Sequence, residues 1–265
     1  MARISAPELL HKKEKGEKIA MITAYDHAMA RLADAAGVDM VLVGDSLGMV
    51  IQGGSDTLRV RVSDVCYHGR CVAPALERAH LTLDLPFMSY QVSAAQALRS
   101  AGRLVQRGMA QSVKLEGGVR SASAIRAIVE AGIPVVGHVG LTPQSVHAMG
   151  GFKVQGRDAA TAARILDDAV AVEQAGAFCV VLEMVPSELA AEITRKLQIP
   201  TIGIGAGASC DGQVLVCNDL LGLDARFKPR FVKRYAELES VITGAMAEYV
   251  SDVKGGQFPG TEHGY

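Results

Sequence analysis

The feature that most constrains this chain is a repeated unit. A segment rich in Ala and Gly leads into a short run of Val, Ile and Leu, which then stops at a polar residue or Gly. Eight such runs are present: Ile19–Thr23, Met40–Val43, Leu81–Leu83, Ser112–Leu115, Val135–Gly137, Phe178–Leu182, Thr201–Ile204 and Gln213–Val216. Four have similar approaches, AAGVDMVLVGD, QRGMAQSVKLEG, EAGIPVVGHVG and QAGAFCVVLEM. The Gly sits where a preceding helix should end, because it takes up a left-handed conformation without steric cost. The β-branched content suits strands buried on both faces, hence a parallel sheet. Helical spacing of apolar residues fills the intervals at Ala28–Ala36, Ala94–Arg107, Ala122–Ala131, Ala159–Ala175 and Ser187–Leu197. Strand and helix alternating along the whole chain predict an α/β fold. Eight strands close a (β/α)8 TIM barrel, whereas six would make a doubly wound open sheet. No linker, low-complexity stretch or charge block divides the 265 residues. The expectation is one barrel domain over 1–265 with a Gly-rich, polar tail at Lys254–Tyr265.

Composition narrows the function. Twenty-seven basic and 28 acidic residues leave a formal charge of −1, which speaks against a protein built to grip nucleic acid. Trp is absent and aromatics are 5%, so stacking platforms for single strands are not expected. Charges interrupt every apolar run before it could span a membrane, and no secretory leader is legible at the N-terminus. The five cysteines (Cys66, Cys71, Cys179, Cys210 and Cys217) are odd in number and form no CxxC pair. They predict a reduced, cytoplasmic setting rather than a disulfide framework or a zinc-thiolate site.

The residues that end the runs carry the chemistry. The second run ends in Gly44-Asp45-Ser46, the third in Asp84, the fourth in Glu116 with Lys114 inside it, the fifth in His138 and the sixth in Glu183. In a barrel the C-terminal strand ends meet at one mouth, where active sites are built. The plain alternative for each acid is that it caps the next helix, an explanation that weakens when four acids share the pattern. Oxygen donors without a His/Cys cluster suit a hard cation such as Mg²⁺, with Asp45, Asp84 and Glu116 as the ligand trio. Lys114 shares a strand face with Glu116 and suits an anionic substrate; its alternative is a structural ion pair. His138 is either a substrate contact or a rim histidine bonded to backbone. Glu183, behind an apolar strand, suits a general base with a raised pKa, or else a helix-capping acid near Ser187. Gly203–Gly207 (GIGAG) is either a phosphate cradle or close packing, and Gly150–Arg157 (GGFKVQGR) is either a lid or a surface loop.

Taken together, VGDSLG (Val43–Gly48), DLPF (Asp84–Phe87), KLEGG (Lys114–Gly118), GHVGLTPQS (Gly137–Ser145), GIGAG, TAYD (Thr23–Asp26), GGFKVQGR, DGQVLV (Asp211–Val216) and PGTEH (Pro259–His263) resemble the ketopantoate hydroxymethyltransferase family. The order and spacing of these motifs from about Leu9 to the tail make the resemblance specific. It implies a barrel of the phosphoenolpyruvate mutase/isocitrate lyase type. It also implies transfer of a one-carbon unit from 5,10-methylenetetrahydrofolate to 3-methyl-2-oxobutanoate, giving 2-dehydropantoate for pantothenate biosynthesis. By the same resemblance Asp45, Asp84 and Glu116 form the Mg²⁺ site, Ser46 and Lys114 hold the 2-oxo acid with Asp45, Asp84 and His138 around it, and Glu183 accepts the proton. The carbanion equivalent is then a Mg²⁺-stabilised enolate. A cytoplasmic homodecamer is the implied assembly. The chain departs from the family pattern at Asn218, where His is usual, and over Val72–Leu76 (VAPAL), where Arg-Gly is usual. Neither departure touches the metal or base motifs. Two rival readings stand beside this one: a lyase or mutase using Mg²⁺ and a 2-oxo acid without folate, and a catalytically silent barrel serving an assembly.

Overall fold

The computed structural model describes residues 3–226 and 228–265. Eight parallel strands follow one another round a closed barrel: β1 (Ile19–Thr23), β2 (Met40–Val43), β3 (His80–Asp84), β4 (Ser112–Glu116), β5 (Val135–Gly140), β6 (Cys179–Glu183), β7 (Thr201–Ile204) and β8 (Gly212–Leu215). Pairing of β1 with β8 (Met21 opposite Val214) closes the ring and excludes the open sheet. The helices are α1 (Ala6–Glu14), α2 (His27–Ala35), α3 (Leu47–Val50), α4 (Val62–Val72), α5 (Ala94–Gly108), α6 (Ala122–Glu130), α7 (Val146–Met149), α8 (Ala159–Gln174), α9 (Ser187–Lys196), α10 (Cys217–Leu221) and α11 (Leu238–Gly255). Two compact units result, Met1–Val216 and Cys217–Tyr265. The first contains the barrel. The second holds α10 and α11 and is tied within itself by Tyr235 N donating to Leu220 O (2.9 Å) and Glu239 N to Gly222 O (3.0 Å).

All five expected helices form, and each expected strand forms to within a few residues. One boundary matters for the site. The fifth strand runs on to Gly140, so His138 lies inside β5 rather than terminating it. Register explains why: His138 pairs with Glu116 on β4 and with Val181 on β6, so both neighbouring strands extend it. Segments with no expected helix also become helical, notably α1 and α4. Ser5 caps α1 reciprocally with Glu8, an S-x-x-E box that satisfies free N–H groups at the helix start. The Val72–Leu76 departure is absorbed as packing, since Val72 and Ala73 are fully buried where α4 ends. Asn218 lies in α10, where its side-chain oxygen accepts from Cys217 Sγ at 3.2 Å.

Side-chain alternation sorts the barrel interior. Ile19 and Met21, Met40 and Leu42, Cys179 and Val181, Val136, Ile202 and Val214 form one apolar cluster with Ile4, Ala6 and Leu9 of the N-terminal segment. On β3 and β4 the same parity places polar groups inside. His80 Nε2 lies 2.8 Å from Ser112 Oγ, and Ser112 Oγ lies 2.8 Å from Thr82 Oγ1. His80 Nδ1 faces Ile4 O at 2.9 Å. A carbonyl can only accept, so Nδ1 carries the proton and Nε2 takes one from Ser112.

Burial pushes the His80 pKa down, against the Ile4 carbonyl bond that raises it. The folded chain therefore binds fewer protons at His80 than the unfolded chain does, and stability falls as pH drops below the unfolded imidazole value of about 6.5. Urea melts from pH 7.5 to 5 should show this loss reduced in His80→Gln. An identical pH slope in the variant would remove His80 as its source.

Candidate active site

Two residues further along, the lumen rows of β3 to β6 end in ionisable side chains. Asp84 follows His80 and Thr82 on β3, and Lys114 and Glu116 follow Ser112 on β4. His138 follows Val136 on β5, and Glu183 follows Cys179 and Val181 on β6. Asp45 and Ser46 come from the turn after β2. Asp45, Asp84, Lys114, Glu116 and His138 are all buried, and Ser46 is partly so.

Lys114 Nζ lies 2.7 Å from Asp84 Oδ1 and 3.4 Å from His138 Nδ1. Asp84 Oδ2 accepts from Asp45 N at 3.0 Å. His138 Nε2 lies 3.1 Å from Glu183 Oε2, whose side chain is 19% exposed. The structure thus brings Asp84, Lys114, His138 and Glu183 into one chain of contacts running from the lumen to the rim. Ser46 Oγ lies 2.8 Å from Tyr25 OH.

The charges have definite consequences. Burial lifts the Asp84 carboxyl to about 7, with Lys114 pulling it down and Asp45 pushing it up. Glu116 is raised well above the usual carboxylate range by burial and then by Asp45. For Lys114 burial acts downward, but Asp84, Asp45 and Glu116 outweigh it and hold the ammonium charged. His138 is depressed by burial and by Lys114, so its neutral form prevails. With Nδ1 facing the ammonium, the consistent tautomer carries its proton on Nε2, towards Glu183.

Two residues not singled out from sequence organise the carboxylates. Gln144 Nε2 donates to Asp45 Oδ2 (2.9 Å) and Leu85 O (3.0 Å), while its backbone N–H donates to Glu116 Oε2 at 3.1 Å. Tyr90 OH donates to Gln144 Oε1 (2.8 Å) and meets Glu116 N at 3.1 Å. Gln144 lies inside the GLTPQS motif, which is the signal that would have found it; Tyr90 sits in a loop with no comparable pattern.

The donor set can be tested for a cation. Glu116 Oε1 is buried with no hydrogen-bond partner, and its nearest ion-pair contact, His138 Nδ1, is 3.7 Å away. Asp45 and Asp84 add further carboxylate oxygens next to it. Among the described residues no three His, Cys, Asp or Glu side chains converge tightly enough to hold an ion unaided. The fit is therefore to a hard ion held by one or two protein carboxylates and completed by water and substrate, which is how Mg²⁺ is usually bound.

The flanking motifs fix the backbone around Glu183. Gly140 has φ +93° and comes so close to the Glu183 carbonyl that a Cβ there would lie 2.3 Å from its oxygen. Leu141 N donates to that same carbonyl at 2.8 Å. Met184 adopts φ +48°, a left-handed conformation costly for a non-glycine residue, and its carbonyl accepts from Gln155 of the GGFKVQGR segment at 2.8 Å. In GIGAG, a Cβ on Gly207 would lie 2.5 Å from Ser187 Oγ, so close packing accounts for that glycine.

The chain resembles known proteins over nearly its whole length. A family model described as ketopantoate hydroxymethyltransferase matches residues 3–261. The chain is 54% identical over 263 residues to the 3-methyl-2-oxobutanoate hydroxymethyltransferase of Pelobacter propionicus, covering 99% of this chain and 97% of that one. It is 56% identical over 258 residues to the protein of the same name from Syntrophotalea carbinolica, covering 97% of each. Among solved structures, 2,3-dimethylmalate lyase of the PEP mutase/isocitrate lyase superfamily superposes with TM-score 0.59 at 18% identity, over 97% of this chain and 90% of that one. A phosphoenolpyruvate phosphomutase from Streptomyces platensis gives 0.63 at 14%, over 96% and 88%. At these identities the two structures show the fold, which is the barrel type expected.

Replacing Gln144 by Ala removes the amide partner of the buried Asp45 Oδ2, while the Tyr90 hydroxyl keeps its bonds to the Glu116 backbone. A buried group so orphaned costs about 1–3 kcal/mol. Gln144→Ala should lower the urea midpoint at unchanged m-value. An unchanged midpoint would mean that water replaces the amide at no cost.

Proposed function

The chain belongs to the ketopantoate hydroxymethyltransferase family, and from that premise we propose how its side chains divide the work. The reaction is transfer of a one-carbon unit to 3-methyl-2-oxobutanoate, giving 2-dehydropantoate on the route to pantothenate. 5,10-Methylenetetrahydrofolate is the proposed donor. The stoichiometry closes with one water, which supplies the hydroxyl oxygen as tetrahydrofolate leaves. The observation that carries the reading is the line of contacts Asp84–Lys114–His138–Glu183. It joins a buried anion-binding cation to a carboxylate that solvent and substrate can both reach.

Lys114, charged and desolvated, offers N–H donors to the substrate carboxylate, where a charge-assisted bond is strongest. Ser46, held by Tyr25, is placed to donate to the same 2-oxo acid. Asp45 and Asp84 would supply oxygen ligands for Mg²⁺, and Glu116, with its free oxygen, would complete their surroundings. When bound, the ion acts as a Lewis acid on the 2-oxo group and makes the C–H at carbon 3 more acidic. Glu183 takes that proton. His138, neutral with N–H on Nε2, donates towards Glu183 and fixes the carboxylate's orientation. The carbon so deprotonated forms the new C–C bond to the folate methylene carbon as that carbon's bond to one folate nitrogen breaks. Its bond to the other nitrogen is then replaced by one to the water oxygen, and the two nitrogens leave carrying the carbon-3 proton and one water proton. A homodecamer is the assembly proposed from family resemblance. What supports an oligomer is α11, which has no buried residue and exposes Val241, Met246, Tyr249 and Val253. A cytoplasmic location is proposed on the same resemblance; among the described residues no helix is long and apolar enough to cross a membrane.

The test is proton exchange at carbon 3 of 3-methyl-2-oxobutanoate in D₂O with Mg²⁺ and no folate, followed by NMR. Wild type should exchange, and Glu183→Gln should bind the oxo acid with nearly unchanged affinity yet fail to exchange. Equal loss of binding and exchange would remove Glu183 as the base. Asp84→Ala should weaken Mg²⁺ and oxo-acid binding together in calorimetry, whereas unchanged Mg²⁺ affinity would remove Asp84 as a ligand. Turnover of a 2-oxo acid that needs no folate would favour the lyase or mutase reading on the same scaffold.

A further inference from the structure

A second concavity opens beside the β3 end, outside the constellation described above. It is a cleft of about 510 Å³ between the start of α4, the segment after β3 and one face of α5, a size in the range of small-molecule sites. Three guanidiniums line it, Arg61 before α4 and Arg99 and Arg103 on α5, and no acidic residue does. Among the described residues none of the three has a carboxylate within ion-pair distance. Three unpaired cations around one concavity repel one another, so an anion between them is favoured.

The rest of the lining is built to match. Gln96, Arg99, Ser100 and Arg103 recur at three-to-four spacing and so share one stripe of α5. That stripe pins the segment after β3. Gln96 Nε2 donates to Met88 O at 2.8 Å and Ser100 Oγ to Ser89 O at 2.7 Å. Met88 is held at φ +61°, and Phe87, Met88 and Val92 are left exposed as an apolar wall. Ser89 Oγ is buried, lines the cleft and has no hydrogen-bond partner. An unpaired buried hydroxyl costs about 1–3 kcal/mol, a cost that a ligand oxygen or N–H would relieve. The chain runs from this wall straight back through Pro86 and Leu85 to Asp84.

We infer that this cleft receives the p-aminobenzoyl-glutamate tail of the folate, its aromatic ring against Phe87, Met88 and Val92 and its carboxylates on Arg61, Arg99 and Arg103. The inference rests on folate being the one-carbon donor. Every γ-linked glutamate added to the tail brings one more carboxylate, so the site favours longer tails.

The experiment compares KM for the mono- and triglutamate forms of 5,10-methylenetetrahydrofolate at low ionic strength. In wild type the triglutamate KM should be lower by a few-fold to about thirtyfold, the span of two exposed ion pairs. The double substitution Arg99→Gln/Arg103→Gln should raise KM for both forms and erase the difference, with the change falling on KM rather than kcat. Arg126→Gln, an exposed arginine on α6, should keep the difference, and melting temperatures check that each variant folds. A wild type indifferent to tail length, or a double variant that keeps the preference, overturns the inference. Transfer from neither folate form, with exchange at carbon 3 intact, would instead overturn the choice of donor and this site with it.

Discussion

The contact on which the mouth depends is the buried ion pair between Asp84 and Lys114. The two residues are register partners on adjacent strands, and their side chains meet at 2.7 Å within the lumen. Burying either charge alone would be costly, and a buried pair is no reliable source of stability even when well made. Its value lies in what it permits. Asp45, Asp84 and Glu116 crowd one end of the barrel, and burial together with mutual repulsion drives Asp84 and Glu116 towards their protonated forms. The ammonium opposes that drift and keeps anionic oxygen available to a cation. The same ammonium faces His138 Nδ1 and so selects the tautomer that points a proton at Glu183.

The lumen tolerates such a cluster because the rest of it is a packed core. Met21, Met40, Leu42, Val136 and Val181 fill the middle, and Ile4, Ala6 and Leu9 close it from the N-terminal segment. Polarity re-enters at the His80–Ser112–Thr82 chain, where every group has a partner. At the mouth that rule is relaxed, and Glu116 Oε1 stands unpartnered. Unsatisfied buried oxygen is expected where a ligand completes the set and is a liability elsewhere.

Much of this was readable in the sequence because strand signals and side-chain parity are local. Short Val, Ile and Leu runs ending at a polar residue or Gly located all eight strands, four of them behind a helix-ending Gly, and two-residue alternation put Lys114 and Glu116 on one face. The acids at strand ends followed from the same pattern, which already offered Asp45, Asp84 and Glu116 as a ligand trio and Glu183 as a base, and the family resemblance implied the same roles. Other parts depend on long-range contacts. His138 reads as a terminus by its own residues, but two neighbouring strands draw it into β5. Gln144 and Tyr90 earn their places by reaching Asp45 and Glu116 from loops, across separations that no periodicity encodes. The α1 helix carried its capping box openly at Ser5 and Glu8, yet its charges masked a short apolar face.

Two kinds of carboxylate result, and their difference is geometric. Asp84 is enclosed, fixed by a lysine and a backbone N–H, and suited to holding charge in place. Glu183 is partly exposed at the rim, where His138 Nε2 meets its side chain at 3.1 Å, and the fold restrains its backbone as well. Gly140 packs on its carbonyl, Leu141 donates to it, and Met184 behind it is held left-handed with Gln155 bonded to its carbonyl. For the base proposed above, which must meet its substrate repeatedly and release the proton afterwards, a rigid backbone under a partly exposed side chain suits better than full burial. A residue that binds an ion has the opposite need. Placing the two kinds three strands apart, on β3 and β6, lets one barrel end serve both without either environment compromising the other.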